Sequence, residues 1–223
     1  SGKTDGVFQL ESAGMKNFMK ELRPENLEDI IAGISLYRPG PMDSIPTFIE
    51  NKNHPDKVRY VIPELESILK VTNGCIVYQE QVMQIVRKLA GYSYARADLV
   101  RRAMSKKKTD VMEKERGHFI EGCKSNGVSE AVATDIFNEM TSFASYAFNK
   151  AHAAAYAFVA YQTAYLKAHY PKQFMAAMIT SIIENSAKIL EYTQECQRLN
   201  IQILPPDINK SFADFTVEGD DIR

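Results

Sequence analysis

No run of apolar residues in this 223-residue chain reaches the ~18 that a membrane-spanning helix requires, so the sequence is not that of a helical membrane protein. Cysteine is scarce. Cys75, Cys123 and Cys196 are odd in number, far apart and without a CxxC pair, which supports neither a disulfide framework nor a zinc site. An excess of one charge is also missing: 27 basic residues stand against 28 acidic ones, for a net charge of −1. Bulk electrostatics therefore point to no polyanion. The familiar phosphate-loop, dinucleotide, metalloprotease and nucleophile-elbow patterns are absent. The chain opens Ser1-Gly2-Lys3-Thr4 without a basic and apolar leader, so no signal peptide is expected and a reducing, cytoplasmic setting fits. With no initiating methionine and an end inside a hairpin-like stretch, the chain reads as a fragment of a longer protein.

What is present is 45% hydrophobic and 25% charged, enough to bury a sizeable core. The apolar spacing is mostly helical. Met15, Phe18, Met19 and Leu22 recur at 3, 4 and 7 positions, and Val82, Ile85, Val86 and Leu89 repeat the pattern within a helix expected over 77–90. Five prolines between 38 and 63 predict mostly loop there, with one short helix near Thr47–Asn51. Pro171 closes one helix and opens another, expected to reach about Glu184. From Ile201 the pattern turns extended, and Phe212 to Arg223 alternates about a Glu-Gly-Asp turn. The fold class is mainly α, a multi-helix domain with a short β-containing C-terminal tail.

The near-zero charge hides an asymmetry. From Arg87 to Lys108 eight basic residues face the single acid Asp98, a local charge of +7 in 22 residues. On a helix Asp98, Arg102 and Lys106 would be successive neighbours, with Arg101 alongside. Like charges so placed need a compensating anion, internal or external. The cluster fits a solvated helix end, where the dipole favours cations, or a polyanion site in which guanidinium forks grip phosphate oxygens.

A second feature is Phe148-Asn149-Lys150-Ala151-His152-Ala153-Ala154-Ala155-Tyr156, opening a stretch with eight alanines and five aromatics between 151 and 170. Asn149, His152, Ala153 and Tyr156 fall at helical spacing, so one face would carry an amide, an imidazole, a methyl and a phenol. Such a face suits a nucleotide, with phosphate donors at its start and a ring for stacking further on. By pattern alone it better suits an alanine-rich core helix with a hydrogen-bonded histidine, since aromatic stripes at helical spacing are more often core than site. Phe158, Tyr161 and Tyr165 on its flank are expected to be packing residues. His54 and His118 read as surface residues, Cys123 and Cys196 as small hydrophobes. Asp220-Asp221 reads as a hairpin turn, since two-metal chemistry needs paired carboxylates and no convincing set exists.

Taken together, Gly6-Val-Phe-Gln-Leu-Glu-Ser12, Leu36-Tyr-Arg-Pro-Gly-Pro41, Val77-Tyr-Gln-Glu-Gln-Val-Met-Gln84 and Leu89-Ala-Gly-Tyr92 resemble segments of the bacterial DNA polymerase III α-subunit family, the C-family replicative polymerases. So do Ala97-Asp-Leu-Val-Arg-Arg-Ala-Met-Ser-Lys-Lys-Lys108, Phe148-Asn-Lys-Ala-His-Ala153, Tyr161-Gln-Thr-Ala-Tyr-Leu-Lys-Ala-His-Tyr-Pro171 and Leu204-Pro-Pro-Asp-Ile-Asn209, in the family's order and over nearly the whole chain. Ser105 stands where many members have glycine, and Ala147 and Ala151 where many have glycine and serine. These small-for-small departures leave the basic and His/Tyr positions intact.

The resemblance implies the fingers domain. Residues 1–42 would form an entry segment at the palm border, 43–200 the helical fingers, and 201–223 an extended segment leading to a helix-hairpin-helix region. The palm, with its catalytic aspartates and Mg²⁺, would lie outside this chain, so the fragment alone would be inactive. The implied partners are the incoming dNTP, primer-template DNA, the palm and thumb of the same subunit, and through it the replisome and sliding clamp; no membrane is implied. Arg101, Arg102 and Lys106 would hold the triphosphate. Lys150 and His152 would contact phosphates, with Asn149 on the same nucleotide-binding face, and Tyr156 would pack against base or sugar. Arg38, stiffened by Pro39, would either brace the pocket or touch phosphate. Lys107, Lys108 and Lys114 would face template backbone or water. A non-catalytic helical nucleic-acid-binding module and a scaffold whose basic helix pairs with internal acids remain alternatives.

Overall fold

The computed structural model describes residues 2–106, 109–144 and 147–223, with no side-chain description at 104, 105, 109, 110 and 144. Eleven α-helices follow one another among these residues: α1 Ala13–Leu22, α2 Leu27–Leu36, α3 Ile45–Asn53, α4 Glu66–Leu69, α5 Gln79–Ala90, α6 Tyr94–Ser105, α7 Thr109–Ser125, α8 Glu130–Ala144, α9 Lys150–His169, α10 Pro171–Ser181 and α11 Ser186–Arg198. One antiparallel hairpin, β1 Val217–Glu218 with β2 Asp221–Ile222, completes the mainly α architecture. Among the described residues no helix is long and apolar enough to cross a membrane. The chain divides into two units, Pro24–Ala155 and Ser1–Arg23 with Tyr156–Arg223, and the boundary falls within α9.

In the Pro24–Ala155 unit, α5 is the central element, packed on α6, α7 and α8. Its Val82, Ile85, Val86 and Leu89 are buried, as their spacing predicts, against Phe119, Ile136, Phe137 and Met140 of α7 and α8. Each such side chain contributes about 1.5–3 kcal/mol by leaving water. α5 begins at Gln79 and not at Val77, because Tyr78 is extended and bridges Phe148 in parallel. Gln81 closes that start: its Oε1 accepts the N–H groups of Val77 and Tyr78 at 2.8 and 2.9 Å. Gly91, at φ +70°, ends the helix. A side chain at Gly122 of α7 would place its Cβ 2.5 Å from the Ala90 carbonyl oxygen, so the two helices approach only because that carbon is missing.

The proline-rich stretch is more helical than expected. Pro41–Ser44 and Pro55–Lys57 are 3₁₀ turns, and α3 runs to Asn53. Pro41, Pro46 and Pro55 sit in first turns, where no helical partner awaits their missing N–H.

In the other unit, Ser12 caps α1 by accepting the Met15 N–H at 3.3 Å, and Met15, Phe18, Met19 and Leu22 are buried. A second core joins Phe174, Met175 and Ile179 of α10 to Tyr192 and Cys196 of α11, with Ile201 and Ile222. α10 stops at Ser181, short of Glu184. A turn in which Asn185 N–H bonds to the Ile182 carbonyl at 2.7 Å lets Asn185 cap α11 through the Lys188 N–H at 3.1 Å. Asp220 lies in the hairpin turn, as expected, and Asp221 opens β2 opposite Glu218.

One expectation fails here. Phe158, Tyr161 and Tyr165 are 54, 51 and 46% exposed. Only a narrow stripe of α9, Ala153, Ala157, Ala160 and Lys167, is buried, and alanines on that stripe leave the aromatics on the outer arc.

Candidate functional site

The start of α9 is clamped by the start of α5. Phe148 N–H donates to the Val77 carbonyl at 3.2 Å, and Gln79 N–H to the Phe148 carbonyl at 2.9 Å. The Gln79 side-chain amide reaches the Ala147 carbonyl at 3.0 Å. Glu80 accepts the Lys150 backbone N–H and the Asn149 Nδ2 group, each at 3.1 Å. Asn149 precedes the helix and takes the His152 N–H on its Oδ1 at 2.8 Å. Two donors that a helix N-terminus would offer an anion are thus engaged by Glu80 and Asn149.

The sequence-derived face is therefore divided. Asn149 is a cap rather than a helix-face residue, and Ala153 points into the core. His152 remains exposed, edge-on to Phe148 with ring centroids 5.4 Å apart. Arg38 stacks on the same Phe148 ring, 4.3 Å from its centroid, so an aromatic contact brings it to the start of α9. The Lys150 ammonium lies 2.9 Å from Glu28 and 5.3 Å from the Tyr78 ring centroid. Tyr78 itself is buried. Burial first, then the charges of Glu28, Glu80 and Asp29, push its hydroxyl well above the ordinary phenol range. Tyr156 belongs to the other unit, where its ring tilts against Phe8 at 5.2 Å.

The cationic run is partly compensated from within. Asp98 accepts from Arg101 Nη2 at 2.7 Å and pairs with Arg102 Nε, also at 2.7 Å. Hydrogen bonding from Arg101, followed by the charges of Arg101 and Arg102, holds the Asp98 carboxyl below its usual value. Glu115 of α7 pairs with Arg96 at 3.1 Å, and Arg87 stacks on Tyr94 at 3.5 Å. Arg102 and Lys106 line a groove of about 510 Å³ whose other walls include Leu99, Ala103 and Val111. Lys106 and Lys114 are exposed. Lys107 and Lys108 lie outside the described residues.

Arg101 and the Ala147–Lys150 segment, far apart in the chain, meet through Gln79, whose Oε1 accepts Arg101 Nη1 at 3.1 Å. Arg101, Arg38, Lys150 and His152 thus gather around the start of α5. Gln79, Glu80 and Glu28 escaped the reading of charge and periodicity. Their only local signal was a run of polar residues opening an apolar helix, the pattern of a cap. Among the described residues no cluster of three His, Cys, Asp or Glu side chains could hold a metal ion. Asp220 is paired with Lys172 at 2.8 Å, and Asp221 accepts the Gln202 N–H at 2.9 Å.

Comparison with known proteins places the chain in a family. Residues 1–127 match the family described as "Bacterial DNA polymerase III alpha subunit finger domain". The chain is 50% identical over 222 residues to DNA polymerase III subunit alpha of Bacillus subtilis, covering 100% of this chain and 20% of the relative. It is likewise 50% identical to the same subunit of Thermus aquaticus over 226 residues, 99% of this chain and 18% of the relative. The Chlamydia muridarum subunit is 50% identical over 222 residues, 100% of this chain and 18% of the relative. The chain thus spans about a fifth of the length of these relatives. It belongs to the bacterial DNA polymerase III alpha-subunit finger-domain family.

Proposed function

We propose that this chain receives the incoming deoxynucleoside triphosphate in a DNA-directed DNA polymerase and aims it at chemistry carried out elsewhere in the subunit. The observation that carries the reading is the junction at Gln79, where Arg101 meets the segment bearing Lys150 and His152. Phosphoryl transfer asks a protein mainly for positioning and charge stabilisation. Arg101, Arg102 and Lys106 would take the triphosphate, and Lys150 and His152, the latter held by the Asn149 cap, would meet phosphate oxygens from the other side. Arg38, stacked on Phe148, would brace the wall. Lys114 would face the template backbone or water.

In this reading the Mg²⁺ ion that such a polymerase uses would be held by the palm, outside this chain. The remaining partners of the reading are primer-template DNA, palm and thumb and, through the whole subunit, the sliding clamp; the working compartment would be the cytoplasm. The arrangement of entry segment (1–42), fingers (43–200) and tail (201–223) is proposed on the same footing.

A scaffold reading draws on the pairs that Asp98 and Glu115 make with Arg101, Arg102 and Arg96. Arg102→Ala in the complete polymerase subunit separates the readings. A rise of about ten- to a hundredfold in KM for dNTP, with duplex binding retained, is the expected result. A uniform, salt-sensitive loss of DNA binding would make the chain a nucleic-acid module instead. Loss of folding without either effect would leave only the scaffold.

A further inference from the structure

One carboxamide joins three segments of the chain. Gln79, at the head of α5, accepts Arg101 Nη1 on Oε1 at 3.1 Å and donates from Nε2 to the Ala147 carbonyl at 3.0 Å. Its backbone N–H is held by the Phe148 carbonyl at 2.9 Å. A carboxamide can accept from a guanidinium at one end and donate to a carbonyl at the other; a carboxylate lacks the donor and an aliphatic side chain lacks both. Asp98 ties Arg101 only to its own helix, three residues back. Gln79 ties it to a different helix and to the residues that open α9.

We propose that Gln79 is a positioning residue of the phosphate site, holding the Arg101 guanidinium against the start of α9 so that it and Lys150 are presented as one preformed unit. The inference rests on the reading of Arg101 and Lys150 as phosphate contacts. Its physical basis is preorganisation. A long guanidinium side chain loses rotamer freedom when it grips an anion, and a partner that has already fixed its direction removes part of that cost. Glu80, the next residue, holds the Lys150 backbone N–H, so adjacent side chains of α5 anchor both sides of the site.

The test is a double-mutant cycle in the complete polymerase subunit, with KM for dNTP and kcat measured separately in single-nucleotide incorporation and unfolding followed in parallel. Gln79→Ala should raise KM about tenfold, the size of a lost charge-assisted hydrogen bond, with kcat within about twofold. Gln79→Glu, which keeps the acceptor and loses the donor, should be similarly impaired. Gln79→Ala combined with Arg101→Ala should be no worse than Arg101→Ala alone, since both remove the same interaction. If Arg101→Ala raises KM while folded Gln79→Ala or Gln79→Glu leaves it unchanged, or if the two effects multiply, the positioning role is wrong and the phosphate-site reading stands. If Arg101→Ala and Arg102→Ala both leave KM unchanged, the reading beneath it fails. If both Gln79 variants unfold, Gln79 is a structural staple and the proposal is overturned.

Discussion

Arg102 Nε lies 2.7 Å from Asp98 Oδ2, one helical turn back on α6, in a segment otherwise rich in cations. Asp98 occupies the guanidinium forks that a bound anion would use. Replacing it by asparagine removes the competing charge and keeps the shape. Binding of inorganic triphosphate by the Asp98→Asn protein should tighten about two- to fivefold at low salt, the scale of a solvent-exposed pair. Melting should change little, because exposed pairs contribute little to stability. Weaker binding, measured by calorimetry, would instead make Asp98 an orienting partner of the arginines.

The Lys167 ammonium meets Glu195 at 2.7 Å, and the two side chains are only 7 and 3% exposed. Lys167 also donates to the carbonyls of Lys3 and Asp5 at 3.2 and 2.8 Å, pinning the N-terminal segment to α9 and α11. Glu195→Leu takes from the buried ammonium its directly paired carboxylate, and from Arg198 a partner at 2.9 Å, and should cost about 3–5 kcal/mol in chemical denaturation. Lys167→Met together with Glu195→Leu should recover most of that loss, because the pair's desolvation cost disappears with both charges. A double variant as unstable as the single one would show that the backbone contacts of Lys167 carry the stability.

Much of the fold was legible in the chain because the core faces repeat at helical spacing. Met15, Phe18, Met19 and Leu22 announced α1, and Val82, Ile85, Val86 and Leu89 announced α5. Periodicity identifies a distinct face without saying what lies opposite. It marked the aromatic flank of α9 as packing, although its alanine stripe is the buried side and Tyr161 faces solvent. The same limit hid the heart of the candidate site. The cations were visible as a run, but the Gln79 contact to Arg101 spans 22 residues and its contact to Ala147 spans 68. Nothing local in the sequence records either. The caps at Ser12 and Asn26 have partners three residues on, within a local window, whereas the partner of Glu80 is 70 residues away.

Gly122 meets the last turn of α5 where a Cβ would fall 2.5 Å from the Ala90 carbonyl oxygen and 2.9 Å from its side chain. The obstacle is largely backbone, so neither helix can yield by a rotamer change. Gly122→Ala gains helix propensity in α7, but the overpacking should prevail and destabilise the protein by about 1–3 kcal/mol. Equilibrium denaturation should show that loss; a stabilised variant would mean that the helices separate freely at this point.

Glu218 in β1 accepts from Arg223 Nε and from Lys210 Nζ, the latter at 2.7 Å. These hydrogen bonds, Arg223's first, draw the carboxyl down from 4.5 to about 2. Because the folded value lies below the unfolded one, the stabilisation is complete above the ordinary carboxylate range and fades as pH falls through about 2. The carboxyl carbon resonance of Glu218 should therefore titrate near 2, while hairpin amide protection persists at pH 4 and weakens below 3. Arg223→Gln should move the midpoint back toward 4.5, since the larger contributor is removed. A midpoint near 4.5 in the unaltered protein would mean that water screens both partners and that the hairpin is held by Ile222 in the core alone.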